Sequence, residues 1–187
     1  GLDDELFIRG KVPMTKSEVR AITISKLKLT KESRVLDIGA GTGSISVECG
    51  IICNKGKIYS VERNKEGIEL INKNIDKFGL KNIEVIHGMA PEAFDSINNI
   101  NRVIIGGSRG KLENIFEWFE NNIGKESIVV ANFITIENLY KAIKLFKKYE
   151  YKDIEVVQAV ISKSKDIGNL TMMIGNNPVF IITGKKR

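Results

Sequence analysis

The feature that most constrains the fold is a regular alternation of short apolar, β-branched runs with segments of helical pattern. The runs span residues 34–38, 57–62, 83–87, 102–105 and 127–132, and a turn and a helical segment follow each of them. Alternation of this kind is typical of parallel strands joined by crossover helices. The sequence therefore predicts a doubly wound α/β fold with helices on both faces of a mostly parallel sheet.

The C-terminal part of the chain departs from this alternation. After about residue 151, the two strand-like runs DIEVVQAVISKS and LTMMIGNNPVFIITG are joined by the polar turn KSKDIGN without a helix. This pattern predicts a terminal antiparallel β-hairpin over 151–187, which would complete a seven-stranded sheet. The chain has 187 residues and contains no repeat, low-complexity tract or Pro/Ser-rich linker, so we expect a single domain over 1–187.

Local signals predict the ends of two helices. Thr15 and Glu18 have the spacing of a capping box, in which each side chain accepts from the backbone amide of the other, so the first helix should begin at Lys16. Asn64 is a good N-cap and Gly79 a good left-handed terminator for the segment between them. The sequence therefore predicts a helix over 65–78.

Composition and charge exclude some functions. No apolar run approaches the roughly 18 residues that a membrane span needs, and the start GLDDELFIRG is unlike a secretory signal, so we expect a cytoplasmic protein that does not act on membranes. Cys49 and Cys53 lie four apart with no second Cys or His pair nearby, and we expect reduced structural cysteines and no metal. The net charge of +6 favours an anionic partner, which could be nucleic acid or a small polyanion.

The stretch VLDIGAGTGSISVE, residues 35–48, has three glycines directly after a predicted strand. A strand that turns sharply into a helix offers free backbone amides to a ligand at the helix N-terminus. We assign a tight turn to Gly39, close approach of the ligand to Gly41, and the start of the helix against that ligand to Gly43. The spacing of Asp37 and the glycines, DxGxGxG, differs from the dinucleotide fingerprint GxGxxG and resembles motif I of class I methyltransferases.

Two further strand ends complete the predicted nucleotide site. Glu62 ends the second strand, where a carboxylate can accept both hydroxyls of a ribose. The third strand ends at Gly88, Met89 and Ala90, in the position of the adenine-binding turn of methyltransferases. Many relatives have an acidic residue in place of Met89, so here we expect backbone groups and packing by Met89 to recognise adenine.

The end of the fourth strand, RVIIGGSRG, bears on the substrate class. Enzymes that methylate the amino groups of nucleic-acid bases usually have an Asn-Pro-Pro-Tyr or Asp-Pro-Pro-Tyr clamp here for a flipped base, and this chain has none. The stretch NNPVF near the C-terminus lies in the predicted hairpin and is interpreted as a turn. Backbone donors, the Ser108 hydroxyl and Arg109 instead suit a bulky ligand that carries carboxylates.

The motifs PMTKSEVRA, VLDIGAGTGSISVE, GMAPEAF, IIGGSRG and NPVFIITG together resemble the CbiT-like precorrin methyltransferases of the cobalamin pathway, over nearly the whole chain. The resemblance implies a Rossmann-like class I methyltransferase fold and S-adenosylmethionine as cofactor. It also implies methylation of carbon 15 of cobalt-precorrin-6B, or of its cobalt-free counterpart, with decarboxylation of the acetate on carbon 12. A homotetramer and contact with a carbon-5 precorrin methyltransferase are further implications.

Carried onto this sequence, the resemblance implies an N-terminal cover segment and helix over 1–30. The expected cofactor-binding residues are Thr15, Asp37, Gly39, Ala40, Gly41, Thr42, Gly43, Glu62, Arg63, Gly88, Met89 and Ala90. The expected substrate-binding residues are Lys11, Pro13, Met14, Lys16, Gly106, Gly107, Ser108 and Arg109. No catalytic residue is assigned; weak candidates are Arg109, Ser108 and His87, the only histidine.

Two other functions remain open on the sequence. An RNA methyltransferase would share the cofactor fold and suit the pI of 9.2, but the base clamp is missing and the lysines are scattered. A non-catalytic nucleotide-binding module should have lost the glycines or Glu62, and both are present. We therefore expect an enzyme whose partner is a tetrapyrrole and not a nucleic acid.

Overall fold

The computed structural model describes residues 1–187, which form one seven-stranded sheet with helices on both faces and a separate two-stranded ribbon. The helices are α1 (Ser17–Leu27), α2 (Ser44–Ile52), α3 (Lys65–Phe78), α4 (Leu112–Asn122) and α5 (Ile136–Lys148). The strands are β1 (Arg34–Ile38), β2 (Lys57–Glu62), β3 (Ile83–His87), β4 (Ile100–Ile105), β5 (Ile123–Phe133), β6 (Lys152–Ala159), β7 (Ser162–Ile167), β8 (Leu170–Gly175) and β9 (Val179–Lys185).

The strand order in the large sheet is β3-β2-β1-β4-β5-β9-β6. The first five strands in this order are parallel, and β9 pairs antiparallel with both β5 and β6. The predicted mostly parallel α/β sheet is confirmed, and β1, β2 and β3 have the predicted bounds. In contrast, β4 and β5 begin earlier than predicted, because Ile100 pairs with Ile123 across an irregularity in the register.

The predicted seven-stranded sheet with a terminal antiparallel hairpin is confirmed, but the two long runs of the hairpin divide into four strands. Their outer parts, β6 and β9, pair within the large sheet, whereas β7 and β8 pair only with each other. The pairing of β9 with β5 ends at Phe180 and Phe133, since the chain then turns into α5 and offers no further neighbour. The inner parts of the runs therefore leave the sheet as a two-stranded ribbon, the β7–β8 ribbon.

The predicted capping box at the start of the first helix is also wrong. Helix α1 begins at Ser17, and its N-cap, Lys16, makes no side-chain capping bond. The helix starts one residue later than predicted, because the amide of Arg20 bonds to the carbonyl oxygen of Lys16. The Glu18 carboxylate pairs with Lys163 of β7, so a partner distant in sequence replaces the predicted bond to Thr15.

The other predicted helix ends are confirmed. The side chain of Asn64 accepts from the amide of Glu66 at the start of α3, and Gly79 ends that helix with a left-handed φ of 64°. Apolar side chains of α1 and α2 pack on one face of the large sheet, and those of α4 and α5 pack on the other. None of the helices has the length and apolar character that crossing a bilayer requires.

Candidate functional site

A cleft of about 660 Å³ lies at the carboxyl ends of the parallel strands, where ligands bind in open α/β sheets. It brings together nearly all of the residues that the sequence singled out. Those that line it are Lys11, Pro13, Met14, Thr15, Lys16, Asp37, Gly39, Ala40, Gly41, Glu62, Arg63, Gly88, Met89, Ala90, Gly106, Gly107, Ser108 and Arg109.

The loops after β1 and β4 are joined at the floor of the cleft. The amides of Gly106 and Gly107 both donate to the carbonyl oxygen of Ile38, at 2.9 and 3.3 Å. The neighbouring Gly41 has a φ of 60°, and a Cβ there would lie 3.0 Å from the carbonyl oxygen of Pro13. Gly41 is therefore needed for contact with the N-terminal segment, in addition to the approach of a ligand that the sequence suggested.

Three of the predicted residues do not line the cleft. A Cβ at Gly43 would lie 3.0 Å from Ile71, so this glycine lets α2 begin close to α3, and its predicted contact with the cofactor stays a prediction. Thr42 is buried beneath the loop, and its hydroxyl has no partner. The exposed His87 lies with Nε2 3.0 Å from the carbonyl oxygen of Arg63, so the geometry gives no support to a role as proton donor.

The Asp37 carboxyl group is buried behind the glycine loop. Its Oδ2 accepts from the Ser46 hydroxyl at 2.6 Å, and Ser46 in turn accepts from the Ser60 hydroxyl at 2.5 Å. Burial raises the pKa of Asp37 to about 6, and the charge of Glu62 adds to this while the bond from Ser46 opposes it. Asp37 is thus a carboxyl group that can change its charge near neutral pH.

The Glu62 carboxylate is already hydrogen-bonded to backbone amides. Its Oε2 accepts from Gly41 at 2.9 Å, and its Oε1 accepts from Arg63 at 2.9 Å and from Asn64 at 2.8 Å. A carboxylate offers about four acceptor positions, so one position on Oε2 is free. Acceptance of both ribose hydroxyls would therefore require the Gly41 amide to release Oε2.

Residues 1–16 run beside the glycine loop, where Val12 and Pro13 approach Gly41, and are held at two places by residues that the sequence did not indicate. The fully buried guanidinium of Arg20 donates to Asp4 at 3.1 Å and to Glu48 at 2.5 Å. Asn74 of α3 pairs with both backbone groups of Ile8 and also donates to the carbonyl oxygen of Thr42. No local pattern marks Arg20 or Asn74, since each acts through residues distant in sequence.

The cleft continues past β4 into a part that the sequence analysis did not assign. It is lined there by Glu18, Val19, Asn132, Ile134, Ile161, Asn176, Asn177 and Val179. Asn132 lies near the carboxyl end of β5 and could have been found by the rule that ligands bind beyond the carboxyl ends of parallel strands. Residues 161, 176 and 177 could not, because they flank the ribbon that the sequence did not predict.

Comparisons with known proteins agree with this architecture. A family model described as a precorrin methyltransferase domain matches residues 5–186. A curated relative from Sulfolobus acidocaldarius, named probable cobalt-precorrin-6B C(15)-methyltransferase (decarboxylating), is 41% identical over 190 residues, covering 100% of this chain and 98% of the relative. A second, from Sulfurisphaera tokodaii, has the same name and is 37% identical, covering 100% and 97%.

Two solved structures are similar over almost the whole chain. A precorrin-6Y C5,15-methyltransferase from Geobacter metallireducens has a TM-score of 0.93 and 36% identity, covering 100% of this chain and 98% of its own. A precorrin-8W decarboxylase from Methanobacterium thermoautotrophicum has a TM-score of 0.91 and 26% identity, covering 98% and 99%. The family resemblance and the class I methyltransferase fold predicted from the sequence are confirmed.

Proposed function

Because the chain belongs to the precorrin methyltransferase family, we propose that it methylates carbon 15 of cobalt-precorrin-6B, or of its cobalt-free counterpart, and decarboxylates the acetate on carbon 12. It does so as an S-adenosylmethionine-dependent enzyme of cobalamin biosynthesis. The observation that carries the proposal is the relative with this activity in its name, which is 41% identical over the full length of the chain.

The residues that line the cleft fit S-adenosylmethionine. The free acceptor position on Glu62 suits a ribose hydroxyl, and the half-buried turn at Gly88 and Met89 suits adenine. Asp37 and the loop 39–41 would hold the amino-acid portion, since an ionised carboxylate attracts an ammonium group. The cofactor supplies an electrophilic methyl group on its sulfonium. Thr15, Pro13 and Met14 would cover it, because they line the cleft opposite the loop.

For the ring substrate we propose binding through its carboxylates to Lys11, Lys16 and Arg109. All three line the cleft and are exposed, and the ammonium of Lys16 makes only a loose contact of 3.8 Å with Asp4. Arg109 follows the loop at Gly106 and Gly107, whose amides already bond to Ile38, so the Arg109 side chain would have to hold a ligand that lies across β4. Bidentate bonding by the guanidinium would fix the orientation of a carboxylate.

The chain's contribution to catalysis is then mainly positioning. Methyl transfer to an electron-rich ring carbon needs alignment at near-attack distance in a site that excludes water, and positioning of this kind can supply ~7 to 11 kcal/mol. We expect residues 1–16 to act as a cover that excludes water from the loop when the cofactor is bound. In the decarboxylation, the conjugated ring can take up the electron pair that loss of CO2 leaves, and the side-chain carbon then takes a proton from solvent to become a methyl group. We assign no residue to that proton transfer.

We also propose that the chain assembles into a homotetramer through the β7–β8 ribbon. An isolated two-stranded ribbon is marginally stable in water, and this one exposes five large apolar side chains, Ile167, Leu170, Met172, Met173 and Ile174. Contact with ribbons of other copies would cover them. The same proposal includes a cytoplasmic location and contact with a carbon-5 precorrin methyltransferase. It also divides the single domain into an N-terminal cover with its helix over 1–30, the main body, and the terminal strands over 151–187.

A comparison of two acceptor substrates tests the proposed function. The purified chain is incubated with S-adenosylmethionine and either enzymatically prepared cobalt-precorrin-6B or bulk tRNA. We expect mass spectrometry to show a ring that has gained one methyl group and lost CO2, with no methylated nucleoside. A methylated tRNA together with an unchanged ring would overturn the proposal.

A further inference from the structure

The part of the cleft beyond β4 lies past the end of β5 and the start of β9, farther along the sheet than the loops after β1, β2 and β3 that carry most of the proposed cofactor residues. Those residues follow β1, β2 and β3, whereas α1 packs against β5 and β9. The ammonium of Lys26 at the end of α1 also bonds to Glu155 of β6 at 2.5 Å. Because most of the proposed cofactor residues lie in other loops, the side chains of α1 that face the cleft are placed to contact the acceptor substrate.

Glu18 of α1 has an unusual environment in this part of the cleft. One carboxylate oxygen, Oε1, pairs with the ammonium of Lys163 in the β7–β8 ribbon at 2.7 Å. The other, Oε2, is enclosed by neighbouring atoms and has no hydrogen-bond partner, although 36% of the side chain as a whole is exposed. The bond from Lys163 holds the pKa of Glu18 below its usual value, so the group is an anion. An anionic oxygen without a donor can accept a hydrogen bond from a ligand in the cleft.

Asn132 supplies a second acceptor to the same region. The Thr23 hydroxyl donates its only hydrogen to the carbonyl oxygen of Val19 at 2.8 Å and accepts from Asn132 Nδ2 at 2.9 Å. Asn132 Oδ1, 3.3 Å from the same hydroxyl, therefore receives no hydrogen from it. The chain of bonds through Thr23 fixes the amide and leaves Oδ1 able to accept from a ligand in the cleft.

We infer that Glu18 Oε2 and Asn132 Oδ1 are a pair of acceptors that orient the ring substrate by binding hydrogen-bond donors on it. The inference rests on the proposed function. A tetrapyrrole offers such donors as ring N–H groups when it is metal-free, or as water bound to the central metal when it carries cobalt. An anionic Glu18 would repel the peripheral carboxylates of the ring, which are then directed to Lys11, Lys16 and Arg109. Donors on the ring and carboxylates on its rim would thereby be bound by different side chains, which favours one orientation of the substrate.

The test compares Glu18→Gln with Lys163→Met in the full-length enzyme. Glu18→Gln keeps the shape of the side chain but removes the charge and places an N–H donor in the pocket. Lys163→Met removes the ion pair to the ribbon but leaves the carboxylate. We expect Glu18→Gln to raise KM for cobalt-precorrin-6B about tenfold or more, and Lys163→Met to change it by less than about threefold, as for exposed ion pairs.

Cofactor affinity and melting temperature separate an effect on the ring substrate from an effect on cofactor binding or on folding. S-adenosylhomocysteine should bind Glu18→Gln with the wild-type Kd, and the melting temperature of the two variants should be similar. Asn132→Leu should raise KM for the ring in the same way as Glu18→Gln. Repeating the assay with the metal-free ring identifies the donor on the substrate. If the donor is a ring N–H, Glu18→Gln should raise KM more for the metal-free ring. If the donor is metal-bound water, Glu18→Gln should raise KM more for the cobalt form.

Three outcomes would overturn the inference. An equal rise in KM for both variants would make Glu18 an anchor of the ribbon. A weaker Kd for S-adenosylhomocysteine in Glu18→Gln would assign the carboxylate to the ammonium group of the cofactor. An unchanged KM in Glu18→Gln would exclude contact with the substrate. Failure of the wild-type enzyme to methylate the ring would contradict the proposed function instead, and the wild-type control shows this first.

Discussion

The backbone amide of Gly41 donates to Glu62 Oε2 at 2.9 Å, so the glycine loop after β1 is tied to the end of β2. Helix α3 follows closely, because a Cβ at Gly67 would lie 2.8 Å from Glu62 Cγ. The loop and the carboxylate are therefore set relative to each other by the protein itself. Because the Gly41 amide and the Glu62 carboxylate hold each other in place, we expect a change at either residue to alter the affinity for the cofactor.

Gly41→Val should abolish binding of S-adenosylhomocysteine while the chain still folds. The residue has a φ of 60°, which costs a side chain about 1–2 kcal/mol, and its Cβ would press on the Pro13 carbonyl and displace the cover. Gly79→Val is the matched control, since Gly79 has a φ of 64° but nothing within 4 Å of its Cβ. Calorimetric titration of both variants measures the effect, and wild-type affinity in Gly41→Val would contradict the assignment.

Glu62→Gln should weaken S-adenosylhomocysteine about tenfold or more, because an amide cannot accept the two hydrogen bonds at Oε1 and also the bond from Gly41 at the other position. Glu69→Gln, at an exposed position of α3, changes the charge equally and should leave the Kd unchanged. Calorimetric titration with S-adenosylhomocysteine measures both values. If both variants keep the wild-type Kd, the ribose is recognised elsewhere and the prediction is contradicted.

The stability of the protein without cofactor should fall as the pH rises from about 4 to about 6, because Asp37 must lose its proton in a buried site. Burial raises its pKa from 3.8 to about 6, so in this range the unfolded chain has lost the proton that the folded chain keeps. Linkage then lowers the free energy of unfolding as pH rises, by on the order of 3 kcal/mol, and leaves it constant above the folded pKa. Denaturant unfolding of wild type and Asp37→Asn across this range measures the free energy of unfolding of each. The wild-type value should fall relative to that of Asp37→Asn as the pH rises. A difference between the two proteins that does not depend on pH would contradict the prediction.

Assembly should depend on one face of the β7–β8 ribbon. Leu170, Met172 and Ile174 share a face because side chains alternate along a strand. Replacing all three by Gln should reduce the mass measured by light scattering from that of a tetramer, whereas Met173→Gln on the opposite face should have a smaller effect. A tetramer that survives the triple substitution would show that the interface lies elsewhere.

Features set by neighbours in sequence could be predicted closely. The strands β1, β2 and β3 have the predicted bounds, and α3 lies between Asn64 and Gly79 as its caps indicate. The residues after β1, β2, β3 and β4 line one cleft because parallel strands place their carboxyl ends at one edge of the sheet. Most of the candidate site therefore follows from identifying the strands in order.

Features set by distant partners could not be predicted. The capping box at Thr15 does not form because the Glu18 carboxylate pairs with Lys163, from a ribbon far along the chain. The ribbon itself depends on where β5 stops pairing with β9, and the strand-like runs carry no signal for that point. The close packing of Ile71 against Gly43 has no local signal either.

We propose that the cleft after β1 delivers a methyl group to carbon 15 of a precorrin ring. The test is a reaction of the wild-type chain with cobalt-precorrin-6B and S-adenosylmethionine labelled with carbon-13 in the methyl group, followed by NMR of the product. We expect a single labelled methyl group bonded to carbon 15 and loss of the carboxyl group from the acetate on carbon 12. A label at another ring carbon, or no label in the ring, would contradict it.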